Sequence, residues 1–151
     1  MNFNFDITLK NRELLNTFLE KFTLEDLNKV PNGYNNNLFW NIAHVVVTQQ
    51  LLVYNLSGLP MYVNNEFVEK YRKGAKVESD ITQEEINELK DLLFSTVEKM
   101  RDDYKKGVFK NYSSYTTSTN STMTCVEEAI AFNNYHEGIH LGYILALKKA
   151  L

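Results

Sequence analysis

Residues 82–105, TQEEINELKDLLFSTVEKMRDDYK, decide the fold class of this chain. Thr82-Gln83-Glu84-Glu85 has the form of a capping box: the threonine oxygen takes the amide of the third following residue, and the glutamate reaches back to the threonine amide. Ile86, Leu89, Leu93, Val97, Met100 and Tyr104 then recur at spacings of three and four, which is one face of an α-helix. Lys105, Lys106 and Gly107 supply the positive last turn and the stop. A helix with one apolar face must bury it against other elements, and no stretch of the chain alternates apolar and polar residues as a half-buried strand would.

Outward from this helix, three more follow the same reasoning. On the C-terminal side, the Ser/Thr-rich stretch Lys110 to Thr122 leads to a second capping box, Thr124-Cys125-Val126-Glu127, and a helix expected to continue to the end of the chain. On the N-terminal side, a helix is expected from about Asn37 to Ser57, closed by Gly58 and Pro60; it is apolar nearly all round and so the most buried. The first helix is expected to start near Asp6 or Thr8 with Leu15, Phe18, Leu19 and Phe22 on one face. Thr23-Leu24-Glu25-Asp26 then starts a short extra turn before Pro31-Asn32-Gly33 breaks the chain. Four long helices predict an all-α four-helix bundle forming one domain over residues 1–151. The connections at 58–81 and 110–122 are long enough to cross the bundle, so neighbours in the chain need not be antiparallel.

Composition limits the function. The chain has 151 residues, 44% of them apolar and 23% charged, enough to bury one sizeable core. A net charge of -3 with dispersed lysines offers no basic stripe for a phosphate backbone, which argues against nucleic-acid binding. The longest apolar stretch, His44 to Leu56, is interrupted by Thr48, Gln49 and Gln50 and is too short to span a bilayer. Met1 to Ile7 lacks the basic and apolar regions of a secretion signal, so a cytoplasmic protein is expected. One cysteine excludes a disulfide framework and any multi-cysteine metal site, leaving histidines and carboxylates as candidate ligands.

There are three histidines. His136 and His140 are four apart on the last helix and so share a face. With His136 at 0° and about 100° per residue, Ala129, Phe132, Asn133, Ile139, His140, Tyr143, Ile144 and Leu147 fall within about 80° of it. That apolar stripe directs both imidazoles into the bundle, with Glu127, Asn134 and Lys149 opposite as the solvent face. His44 lies in the apolar second helix, with Trp40, Asn41, Val47, Thr48 and Leu51 on its side, and must find a partner or lose free energy by desolvation. A divalent cation between the three would satisfy them all, since neutral imidazole binds zinc, nickel, iron or copper. Helix lengths bring the histidines to levels within about 10 Å if the second and last helices are antiparallel, a gap that modest stagger removes. A parallel pair leaves a similar or slightly larger mismatch, and the antiparallel arrangement is expected.

Leu38-Phe39-Trp40-Asn41-Ile42-Ala43-His44, together with Tyr135-His136-Glu137-Gly138-Ile139-His140-Leu141-Gly142-Tyr143-Ile144, resembles the DinB-like (DinB/YfiT) superfamily of metal-dependent four-helix bundles. The resemblance implies that His44, His136 and His140 are the metal ligands, with zinc or nickel the expected ion. Tyr143 stands where the family commonly has Gln. It also implies a choice of activities: a thiol S-transferase using a low-molecular-weight thiol cosubstrate, a metal-dependent hydrolase, or a non-catalytic bundle. A three-histidine site leaves a position open to water or a thiol, with a small-molecule substrate expected there. Glu137, about 100° from His136, is expected to be a solvated or inter-helix carboxylate rather than a base. Tyr62, Phe67 and Tyr71 in the long connection are candidates to wall a pocket over the metal or to pack on the bundle. Cys125 lies roughly 16 Å along the helix from His136, too far to be a ligand. Finally, Ala131, Tyr135, Gly138, Gly142 and Ala146 form a stripe of mostly small residues, expected to meet a helix of the same bundle or of a second subunit in a homodimer.

Overall fold

The computed structural model describes residues 1–151. Helix α1 spans Asn2–Lys21 and α2 Leu24–Asn28; α3, Leu38–Gln50, is continued by a π-helical turn, Leu51–Asn55. A short α4 (Asn65–Tyr71) precedes α5 (Gln83–Lys105); strands β1 (Tyr115–Thr116) and β2 (Thr122–Met123) precede α6 (Val126–Leu147). The all-α bundle is therefore as the periodicity of residues 82–105 requires, with two additions inside the crossovers. Residues 58–81 contain α4, capped where Asn64 Oδ1 accepts the Phe67 amide at 2.8 Å. Residues 110–122 carry one arm of the small antiparallel hairpin, in which Tyr115 pairs with Met123.

Local chemistry explains most helix ends. Both halves of the capping box form at Thr82 and Glu85, and again at Thr23 and Asp26. Gly107 at φ +65° and Gly58 at φ +68° occupy the left-handed region, where a side chain would strain the chain. The start of α6 departs from the expected box. Its N-cap Cys125 makes no side-chain cap; instead the Thr124 amide and hydroxyl donate to Glu128 Oε2 at 2.6 and 3.0 Å, one residue beyond the glutamate a box uses. Helix α1 begins earlier than Asp6, because Phe5 and Thr8 are already buried against the bundle.

Two apolar clusters give the direction of each helix. One holds Leu15, Phe18 and Leu19 from the end of α1, Leu38 to Val47 of α3, Ile86, Leu89 and Leu93 from the start of α5, and Ile144 and Leu147 from the end of α6. The other holds Phe5, Leu52 to Tyr54, Val97, Met100, and Val126, Ala129 and Ile130. Hence α1 and α6 run one way while α3 and α5 run the other, and the connection 56–82 crosses the bundle between two parallel helices. Side-chain bonds agree: Gln49 Nε2 contacts Met100 Sδ at 3.1 Å, and Tyr54 donates to Asp103 at 2.9 Å. Several buried polar side chains, Thr8, Arg12, Gln49, Thr96, Asn133 and Glu137, belong to neither cluster and are fully enclosed.

Candidate metal centre

The antiparallel packing of α3 on α6 brings His44 against His136 and His140. Ring centroids lie 5.2 Å apart for His44 and His136, 4.7 Å for His44 and His140, and 4.5 Å for His136 and His140. One nitrogen from each ring lies within 4.8 Å of the others. The sequence places the residues on their helices; only the pairing of α3 with α6 makes them a cluster.

Neighbouring groups orient two of the rings. His44 Nδ1 is 2.7 Å from the Tyr71 carbonyl oxygen at the end of α4. A carbonyl can only accept, so Nδ1 carries the proton and Nε2 keeps its lone pair. Trp40, one turn earlier, stacks on the His44 ring at 4.7 Å with an 11° interplanar angle, and Thr48 Oγ1 approaches Nε2 at 3.3 Å. His140 Nδ1 is 3.0 Å from Asn41 Oδ1. The Asn41 amide is itself set, because Nδ2 donates to the Asn37 carbonyl at 2.8 Å, so its oxygen faces His140 and fixes the same tautomer. The remaining ring differs: His136 Nδ1 is buried with no hydrogen-bond partner.

Burial keeps all three rings neutral. Desolvation first, then the neighbouring His140, His44 and Arg12, push His136 down to about 3. Desolvation and His44 bring His140 down to about 4. His44 is also lowered, chiefly by desolvation, with the Tyr71 carbonyl opposing. Neutral imidazole is the ligand form, so protons do not compete for these nitrogens near neutral pH. Three imidazoles, two of them with oriented lone pairs and the third with an unmet buried nitrogen, fit a divalent transition-metal ion, and this group could hold one.

The surroundings of α6 revise two expectations. Its buried residues, Val126, Ala129, Ile130, Asn133, Glu137, Ile144 and Leu147, centre roughly 70° around the helix from His136. The histidines therefore sit at the margin of the buried face, partly open to solvent, while Ile139 (48%) and Tyr143 (38%) on the expected inner stripe are exposed. Asn134, expected on the solvent face, instead accepts from Thr8 Oγ1 at 2.7 Å and donates to the Asn4 carbonyl, and so faces α1. The small-residue stripe meets no helix of this bundle: a Cβ added at Gly138 or Gly142 would find nothing within 4 Å.

Glu137 is the inter-helix carboxylate of the two options. His136-Glu137-Gly138-Ile139-His140 has the H-E-x-x-H spacing that in zinc peptidases supplies two ligands and a general base. Here Glu137 Oε1 accepts from Arg12 Nε, Arg12 Nη2 and Asn133 Nδ2 at 3.0, 2.8 and 2.7 Å, with the side chain fully enclosed. Its Oε1 is thus committed to Arg12 and Asn133 and bonds to no imidazole. Tyr62 is away from the cluster, donating to Asp103 at 2.9 Å beside Tyr54. Phe67 packs on Tyr71 at 4.8 Å, and only Tyr71 touches the site, through its carbonyl. Asn41 and Trp40 were visible in sequence as neighbours of His44 on one face; their orienting role needed the distance to His140 and the stacking geometry.

A protein-family model described as the DinB superfamily matches residues 8–144, so the chain belongs to the DinB superfamily. The match includes all three histidines, the whole of α3 and α6 up to residue 144. No curated protein matches the chain. No helix is long and apolar enough to cross a membrane.

Proposed function

We propose that this is a cytoplasmic metal-dependent enzyme that binds one zinc or nickel ion through His44, His136 and His140 and transfers a low-molecular-weight thiol to a small molecule. The observation that carries the reading is the convergence of the three neutral imidazoles, two with their tautomers set by acceptors on Nδ1. Bound there, a divalent ion would leave a coordination position free and would ionise a thiol or water placed on it. The chain's own contribution is positional. Tyr71 and Asn41 hold two of the rings, Trp40 covers one face of His44, and burial keeps the imidazoles neutral.

Thiol transfer ranks above hydrolysis because of Glu137. A metal-bound thiol would be deprotonated outright, whereas a metal-bound water would ionise only near neutral pH and would gain from a general base, and the one carboxylate next to a ligand in sequence is tied to Arg12 and Asn133. Metal analysis of protein purified without a polyhistidine tag, followed by thiol-transfer assays with several small thiols, tests both steps. Stoichiometric metal lost in His44→Ala supports the site. Absence of metal together with unchanged stability in chelator would leave a non-catalytic bundle.

The same chain is proposed to form a homodimer through α6, because Tyr135, Ile139 and Leu145 are 54%, 48% and 41% exposed beside two glycines that no helix of the bundle approaches.

A further inference from the structure

A cleft opens away from the histidines. It measures about 750 Å³ and lies between the start of α3, helix α4 and the segment 72–81, within the roughly 300–1,000 Å³ range of small-molecule sites. Phe39, Trp40, Tyr71, Ala75, Val77 and Ile81 form its apolar wall, and none of His44, His136 and His140 lines it. Two of these residues bring unmet hydrogen-bond donors. Trp40 is 6% exposed and Tyr71 3%, yet buried Trp40 Nε1 and the buried Tyr71 hydroxyl have no acceptor for their protons; the Lys70 ammonium beside the hydroxyl can only donate. An unsatisfied buried donor forfeits its hydration and gets nothing in return, so native proteins pair such groups with protein, water or ligand.

The charges around the cleft limit what could fill it. Three carboxylates, Glu66, Glu69 and Glu78, face three cations, Lys70, Arg72 and Lys76. Arg72 is already paired with Glu69, and Lys70 with Glu85 on α5. The balanced rim selects for neither sign.

We propose that this cleft is a second binding site, for a small uncharged molecule with an apolar body and a carbonyl-type oxygen that accepts from Trp40 Nε1 and the Tyr71 hydroxyl. Trp40 divides this site from the candidate metal centre: its ring stacks on His44 and also lines the cleft. The site does not depend on the metal reading, since its donors and walls come from residues other than the histidines.

Trp40 is the single tryptophan, so its indole N–H gives one cross-peak in a nitrogen–proton NMR spectrum and reports this site directly. The full chain, kept in chelator, is titrated with benzamide, with benzoate and benzylammonium as charged controls. The expected result is a saturable downfield shift with benzamide at a millimolar dissociation constant, as befits so small a fragment. Both charged controls should be weaker. Tyr71→Phe, which keeps the ring and removes the donor, should weaken benzamide about five- to tenfold, in line with one lost hydrogen bond. Ala75→Phe, which adds bulk to the wall, should abolish the shift while the thermal melt stays cooperative. No saturable shift in the wild type, equal affinity for all three probes, or an affinity unchanged in Tyr71→Phe overturns the assignment. Failure of the metal analysis leaves this titration unaffected, and the reverse also holds.

Discussion

Arg12 on α1 and Glu137 on α6 form an ion pair from which water is excluded: both side chains are 0% exposed and Nη2 lies 2.8 Å from Oε1. Arg12 also reaches the Val45 carbonyl of α3 at 3.5 Å, so three of the bundle's helices meet at this pair. The guanidinium also helps to lower the pKa of His136.

Removing one partner of this pair strands the other charge in the core. Glu137→Ala should cost about 3–5 kcal/mol, the usual penalty for breaking a buried ion pair. The double variant Arg12→Met, Glu137→Leu should recover most of that loss, because no buried charge is left unpaired. Urea unfolding of the two proteins checks this. Equal destabilisation by the single and double variants would mean that the pair is worth more than its desolvation.

Asn41 acts on the site through His140. Asn41→Leu removes the acceptor from His140 Nδ1 while leaving all three imidazoles in place. Metal affinity is expected to fall about 10- to 100-fold, the typical effect of losing an outer-shell partner. Calorimetric titration with zinc measures it; an unchanged affinity would assign the tautomer of His140 to something other than Asn41.

The metal-free protein should weaken in mild acid. The histidines have folded pKa values below the unfolded value of about 6.5, so the unfolded chain takes up protons first. Their neutral packing is fully supported above about 6.5, and stability is lost as pH falls from there towards the folded values of about 4 for His140 and about 3 for His136. Urea midpoints in chelator between pH 7.5 and 4.5 should therefore decline, and His136→Gln should flatten the decline. Saturating zinc should raise the midpoint at pH 7.5, with the gain shrinking as acid competes for the ligands.

Ile139 tests the proposed dimer. At 48% exposure within the monomer, Ile139→Glu should change monomer stability by no more than about 0.5 kcal/mol. Sedimentation velocity should find the wild type dimeric and the variant monomeric. A monomeric wild type at micromolar concentration would remove α6 as a subunit interface.

How far the residues themselves were legible differs from helix to helix. Helix α5 could be read to its ends, since one apolar face, a capping box and a terminal glycine agree with one another. The burial of α3 followed from its composition, and 12 of its 13 residues are buried. Helix α6 could be placed but not rotated. Its apolar residues extend all round, with Tyr135, Ile139 and Leu145 exposed and Ala129, Ile130 and Ile144 enclosed, so hydrophobicity gives no preferred face. What turns it is polar: Asn134 and Glu137, the latter braced by Asn133 from within α6, are drawn to Thr8 and Arg12 on α1. Those partners are more than 120 residues away, beyond any local pattern.

The local order of residues thus determined four long helices, most of their ends, the family resemblance through two histidine motifs, and the three candidate ligands. These depend on capping, periodicity and residue type, which act within a few residues. Tertiary structure decided that α3 and α6 run antiparallel with His44 against His136 and His140, and that Asn41 and Tyr71 set the rings. It also decided that Glu137 belongs to Arg12 and not to the metal centre. Each of these is a contact between distant segments, fixed by how the apolar faces pack and by which polar groups that packing brings within hydrogen-bond reach.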